Sequence, residues 1–202
     1  MRLFHSPASP YARKPRVLLL ECGQPDAVTL EQATGSPLDS SAMPTAHNPL
    51  GKIPVLQRDD GVALFDSRVI CRYLDAQTGA GFYPEPPALW DSLTLEALAD
   101  GIIDAAILIV YEGRLRPPER RSEAWIEAQW AKVARALDAL EAGWTGHLEG
   151  PLDIGQIALG CALGYLDFRH RERGWRRGRP QLAAWAERFL ARRSMRETMP
   201  AG

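Results

Sequence analysis

The chain is 202 residues long, 46% apolar and 24% charged, and its 24 lysines and arginines against 25 aspartates and glutamates leave a net charge of −1. That balance excludes a global pull toward nucleic acid or an anionic membrane surface, and the apolar fraction is that of a globular protein built as one large domain or two small ones. No run approaches the ~18 apolar residues of a membrane span, and the first residues form no signal-like apolar run.

Residues 1–5 read as a short strand, broken by Ser6-Pro7-Ala8-Ser9-Pro10. A helix is expected from there to about Glu21, with Val17–Leu20 buried, because Ser9 followed by Pro10 is an N-cap followed by proline at the first helical position. Pro15 inside it is expected to kink or delay it. Residues 26–32 read as a second strand and 38–46 as weak helix or coil. Residues 54–57 and 62–65 read as two short strands around the turn signal Arg58-Asp59-Asp60-Gly61, and Asp66-Ser67 opens a helix carrying Val69, Ile70, Tyr73 and Leu74. The first 77 residues therefore form an α/β unit with a mixed sheet. The Gly- and Pro-rich residues 78–88 read as a linker. The remainder, 89–202, is helical in period, with helices expected over 89–112, 119–145, 153–168 and 180–191 and a capping-box-like start at Asp153 and Gln156. This is an α/β plus all-α architecture, a small sheet domain followed by a helical bundle.

Few residues carry metal chemistry. Cys22, Cys71 and Cys161 stand too far apart for a metal knuckle or a disulfide scaffold, which points to a reducing cytoplasm, and the four histidines lack ligand spacing, so no metal is expected. The arginines between 169 and 179 cluster around Gly174-Trp175; compensating acids elsewhere make this a solvated loop rather than a nucleic-acid patch.

The stretch Asn48-Pro49-Leu50-Gly51-Lys52-Ile53-Pro54-Val55-Leu56 runs from a turn into a strand opened by proline. Proline cannot donate to a ladder and belongs at such a first position. Either a trans bond or a cis Ile53–Pro54 bond satisfies the bare pattern. A cis bond would leave the Ile53 backbone as an open edge for a peptide-like ligand. Ser9 is likewise either a plain helix cap or a hydroxyl aimed at a ligand.

Four stretches, 6–14, 48–56, 64–74 and 152–160, together resemble the cytosolic glutathione transferase superfamily, in particular bacterial members with serine in the first loop. The likeness covers nearly the whole chain, although the last stretch departs from the usual capping motif, Asp153 and Gln156 standing where Ser or Thr and then Asp are usual. The resemblance implies a thioredoxin-like N-terminal domain over 1–77, a cis Ile53–Pro54 bond, a helical domain over 89–202 and a homodimer. It also implies glutathione as co-substrate, with Ser9 stabilising the thiolate and Ser6 and Tyr11 as its competitors. A free thiol has a pKa of ~8.5, and a hydroxyl donor at a helix N-terminus lowers it both by hydrogen bonding and through the helix dipole. By the same resemblance, Ile53 and Pro54 dock the cysteinyl unit and Lys52 lies near the glycine carboxylate. Asp66 faces the γ-glutamyl ammonium, and Ser67 with its helix start holds the γ-glutamyl carboxylate. A small apolar electrophile would meet Tyr11, Ile107 and Tyr111. The implied activity is conjugation; a non-catalytic regulator of the same fold and a glutathione-dependent peroxidase are the alternatives.

Overall fold

A computed structural model describes residues 1–202. The chain divides into two compact units, Met1–Glu85 with Arg193–Gly202, and Pro86–Arg192.

In the first unit, β1 (Arg2–His5) is the central strand of a three-stranded sheet ordered β2-β1-β3. It pairs in parallel with β2 (Thr29–Gln32), Arg2 opposite Thr29, and antiparallel with β3 (Val55–Gln57), Phe4 opposite Val55. The crossover between β1 and β2 is α1 (Pro10–Glu21), and α2 (Ser67–Thr78) follows β3. Pro15 neither delays nor interrupts α1: the helix starts at Pro10, and Pro15 is one of its buried residues. The expected strand over 26–32 begins only at Thr29, because Pro25–Ala27 form a 3-10 turn, and residues 38–46 form no helix.

The strand expected over 62–65 is reduced to a single bridge, Leu56 to Leu64, closed by two backbone bonds of 2.9 and 2.8 Å. The next bonded pairs of that ladder would be 54 with 66 and 58 with 62. Pro54 has no N–H to give, and the Val62 carbonyl accepts from the Arg58 Nε at 3.0 Å instead. The ladder is therefore stopped on both sides.

The last ten residues were expected in the helical domain, and they fall in the first unit instead. A short helix, α8 (Arg193–Glu197), packs on α1. The Arg13 Nη2 donates to the Met195 carbonyl at 2.8 Å and its Nε to the Thr198 hydroxyl at 3.2 Å. The Ser194 hydroxyl donates to Glu21. Arg13, Met195 and Thr198 are all buried.

The second unit contains α3 (Ala88–Leu115), α4 (Glu123–Gly143), α5 (Thr145–Leu148), α6 (Ile154–Arg169) and α7 (Pro180–Leu190). The helix expected over 119–145 starts later, at Glu123, where the Ser122 hydroxyl accepts the Trp125 N–H at 3.2 Å; Pro118–Arg120 ahead of it form a 3-10 turn. Every residue of α6 from Ile154 to Leu166 is buried, as befits the central helix of a bundle. It lies parallel to α3: Ser92 bonds Asp153 at one end, and the Ala106 carbonyl bonds the His170 ring at the other. Gly155 allows the close approach, since a Cβ there would stand 2.8 Å from the Cβ of Leu95 and 2.9 Å from the Ser92 carbonyl oxygen. Asp153 caps α6, accepting the Gln156 N–H at 2.9 Å, and also accepts from Ser92 and meets the His147 ring at 2.8 Å. Gln156 does not complete a reciprocal capping box; its side chain donates to the Pro151 carbonyl at 2.8 Å. No helix is long and apolar enough to cross a membrane.

Candidate functional site

Sheet topology brings most of the residues singled out from sequence to one end of the first unit. β1 ends at His5 and leads into the Ser6–Pro10 loop. Because β3 runs antiparallel to β1, its start, preceded by Ile53-Pro54, lies at the same end. The Leu56–Leu64 bridge then carries the chain back to that end, where Asp66 and Ser67 open α2. Loops at the carboxyl ends of parallel strands are the usual ligand positions of open α/β sheets.

Ser9 is the N-cap of α1. Its backbone is extended, and its Oγ accepts the Ala12 N–H at 3.2 Å. That contact uses an oxygen lone pair and leaves the hydroxyl proton to donate elsewhere. Ser9, Ser6 and Tyr11 are all half-buried.

The loop before β3 is held from within. Asn48 is buried, its Nδ2 donates to the Lys52 carbonyl at 2.9 Å, and its Oδ1 accepts the Leu50 N–H at 3.0 Å. Gly51 takes a left-handed backbone (φ 60) that a side chain would strain. The Ile53–Pro54 bond is cis. Ile53 lies outside the ladder, which begins at Val55, and its N–H and C=O have no partner among the loop hydrogen bonds. The Lys52 side chain is exposed and forms no ion pair.

At the start of α2, the Asp66 carboxylate caps the helix through the Arg68 N–H at 3.0 Å and pairs with the Arg68 Nη2 at 2.7 Å. Partial burial pushes the Asp66 carboxyl up. The hydrogen bonds and charge of Arg68, with the charge of Lys14, outweigh that and hold it below the usual carboxylate range. Ser67 is buried, and its hydroxyl makes no hydrogen bond to protein. His5, at the end of β1, is buried with no protein partner on Nδ1. Burial first, and then the Arg16 charge, lower its pKa.

Ile107 and Tyr111 are not part of this cluster; they sit on α3 in the other unit, Ile107 half-buried and Tyr111 exposed. Burial of its hydroxyl raises the Tyr111 pKa. Sequence reasoning missed Lys14, fully buried on α1 and acting on Asp66, and Arg68, which holds Asp66. A signal for Lys14 was present: it falls three and four residues before Val17 and Leu18, on the apolar stripe of its helix. Nothing in the sequence marked Arg68. No group of three or more His, Cys, Asp and Glu side chains is placed to hold a metal ion.

Comparison with known proteins accounts for nearly the whole length. Residues 8–77 match the glutathione S-transferase N-terminal domain and residues 123–188 the glutathione S-transferase C-terminal domain. The chain is 38% identical over 210 residues to the uncharacterized GST-like protein YibF of Escherichia coli (strain K12), covering 99% of this chain and 98% of that one. A glutathione transferase family member from Pseudomonas fluorescens Pf-5, solved with bound glutathione, superposes with a TM-score of 0.96 at 49% identity, over 100% of this chain and 99% of that chain. The same Pseudomonas protein, solved with bound S-(propanoic acid)-glutathione, gives a TM-score of 0.92 at 48% identity over 100% of both chains. The first unit is thus thioredoxin-like, and the second is the helical domain that accompanies it.

Proposed function

The chain belongs to the glutathione S-transferase family, and on that footing we propose that it is a transferase joining the thiolate of glutathione to small electrophiles with an apolar body. The observation that carries this reading is Ser9, whose Oγ is fixed by the Ala12 N–H while its proton is left over, at the sheet end where Ile53 and Ser67 also lie. Ser9 donates that proton to the sulfur, and the N-terminus of α1 adds partial positive charge. The thiolate then forms a carbon–sulfur bond as the electrophile's leaving group departs with its bonding pair, or as an activated double bond takes up a proton.

The remaining residues hold the tripeptide. Ile53, kept out of the ladder by Pro54, offers its N–H and C=O to the cysteinyl backbone. Lys52, free of any internal ion pair, meets the glycine carboxylate. Ser67, whose hydroxyl has no protein partner, takes the γ-glutamyl carboxylate at the start of α2. Asp66 takes the ammonium through Oδ2, which also accepts the Arg68 Nη2 and has a further lone pair to offer. Tyr11, Ile107 and Tyr111 contact the electrophile. The glutathione and the S-(propanoic acid)-glutathione held by the Pseudomonas relative in its two structures support the reading, the latter being the kind of thioether such a reaction yields. Exposed Val62 and Val69 on the first unit and Trp90 on the second are consistent with a homodimer. Three free cysteines are consistent with work in the reducing cytoplasm.

The test is calorimetric titration with glutathione together with turnover of a chlorinated nitroaromatic. Saturable binding and release of the conjugate are expected. Binding without turnover of any electrophile would make the protein a binding module, and absence of both would overturn the proposal.

A further inference from the structure

The loop between α6 and α7 borders an open cavity of about 470 Å³ that lies wholly within the second unit. Its walls are Asp167, from the last turn of α6, and Arg171, Gly174, Trp175, Arg176 and Arg177 of the loop. Trp175 anchors the loop: it is 1% exposed, and its indole Nε1 donates to the Asp167 Oδ1 at 2.8 Å. Two successive turns bring Arg171 and Arg177 to the same place. The Gly174 N–H donates to the Arg171 carbonyl at 3.2 Å, and the Arg177 N–H donates to the Gly174 carbonyl at 3.0 Å. Gly174 takes a left-handed backbone (φ 59), and the Arg177 guanidinium lies against it. A Cβ there would stand 2.5 Å from the Arg177 Nε and 2.6 Å from its Nη2. The missing side chain thus makes room for this guanidinium to fold back over the loop.

Six arginines fall between 169 and 179, and four of them have a use in the fold. Arg169 lies over the Phe168 ring, Arg173 pairs with Glu127 at 2.7 Å, Arg176 pairs with Asp167, and Arg179 pairs with Asp138 at 2.7 Å. Arg171 and Arg177 are exposed and enter no ion pair. Glu172, beside Arg171 in sequence, does not line the cavity. The cavity therefore holds three guanidiniums against one carboxylate, an excess of two positive charges. Like charges kept on one small cavity repel, and a bound anion would remove that cost.

We propose that this cavity binds the phosphate group of a small phosphorylated molecule. Arg171 and Arg177 take phosphate oxygens in two-bond forks. Arg176, whose guanidinium carbon stands 4.3 Å from the centre of the Trp175 ring, gives two of its five donors to Asp167 and has three left. A phosphate monoester near neutral pH brings close to two negative charges and three acceptor oxygens, which match the excess. A carboxylate brings one charge and two oxygens. Phosphate binding here does not depend on the transferase reading, and either can fail alone.

The test is calorimetry of the full chain with phenyl phosphate, at a pH well above its second ionisation, and with benzoate as the singly charged comparison. Phenyl phosphate is expected to saturate one site, to bind roughly tenfold tighter than benzoate, and to weaken as sodium chloride is raised. Arg171→Gln and Arg177→Gln change exposed side chains, so both should fold as the wild type does, and each should weaken phenyl phosphate roughly tenfold. Arg120→Gln removes the same charge from the 3-10 turn ahead of α4 and should bind as the wild type does. In nitrogen-15 spectra, the Trp175 indole N–H signal should move in step with occupancy. No saturable binding, equal affinity for phenyl phosphate and benzoate, or an affinity unchanged in either cavity variant would overturn the proposal. So would an equal loss in Arg120→Gln, or an indole signal that stays in place while phenyl phosphate binds.

Discussion

Removing the Ser9 hydroxyl separates two jobs that one oxygen performs. As a cap, the Oγ accepts the Ala12 N–H at 3.2 Å, and losing such a cap to alanine costs about 1 kcal/mol, whereas glycine costs only a few tenths. For a chain of this length, about 1 kcal/mol lowers the melting temperature by roughly 2–4 °C. As a donor to the thiolate, the same hydroxyl supplies a charge-assisted hydrogen bond worth about 1.5–3 kcal/mol. Its loss should raise the pH at which bound glutathione ionises by roughly one to two and cut kcat/KM roughly ten- to a hundredfold. Ser9→Ala and Ser9→Gly should therefore match in thiol titration, followed by the ultraviolet absorbance of the thiolate, and in rate. They should differ in melting temperature, alanine being the lower. If the bound thiol of Ser9→Ala ionises at the wild-type pH and kcat/KM is unchanged, Ser9 is only a cap, and Ser6 or Tyr11 becomes the activator to test. If alanine loses far more rate than glycine, the effect comes from weakening α1 and not from a missing donor.

Gly155→Ala should destabilise the second unit by about 1–3 kcal/mol in urea unfolding, because its Cβ would press on Leu95 and the Ser92 carbonyl oxygen, a close-packed contact with no room to give. Gly101→Ala, within α3 and with nothing within 4 Å of the new Cβ, should instead stabilise by about 0.5–1 kcal/mol. Asp153→Ala removes the cap of α6 and orphans Ser92 and His147, so a loss of about 2–4 kcal/mol is expected, with Asp153→Asn intermediate. His5 and His170 are both buried and ionise below the ordinary value of 6.5. As pH falls through 6.5 the unfolded chain takes up these protons first, so stability declines from there downward until the folded sites protonate, and these groups add no slope above 6.5. His170→Gln should flatten the part of that slope due to His170, measured as urea midpoints between about pH 7.5 and 5.5; an equally steep curve would place the slope elsewhere.

Local chemistry was legible from the residues. Ser9, Asp66 and Asp153 cap helices where a short polar side chain precedes an apolar run, whereas the helix expected over 119–145 starts only at Glu123, behind the Ser122 cap. What sequence did not show is long-range competition. The strand over 62–65 had the right residue types, but whether it pairs depends on Pro54, eight residues back, and on an arginine side chain that takes the Val62 carbonyl. Arg13 drew no expectation from its neighbours in sequence, because Met195 and Thr198, which accept from it, lie 182 and 185 positions away. In the site, the residues expected from the loops of the first unit gather at one end, because a mixed sheet with a central first strand brings those loops together. The pairing of Asp66 by Arg68 depends on rotamers that no spacing encodes.

The clasp of α8 on α1 has a consequence for how the protein is made. Arg13 leaves the ribosome 182 and 185 residues ahead of the carbonyl and the hydroxyl that receive its guanidinium. During synthesis the sheet, α1 and α2 can assemble early, but the bonds of Arg13 to residues 195 and 198 form only after the whole helical unit has been translated. Domains usually finish in the order they are made. This one is bound to complete its first unit last, so a truncation before residue 193 should release a nascent chain whose helical half is finished and whose ligand-binding half is still open to chaperones and proteases.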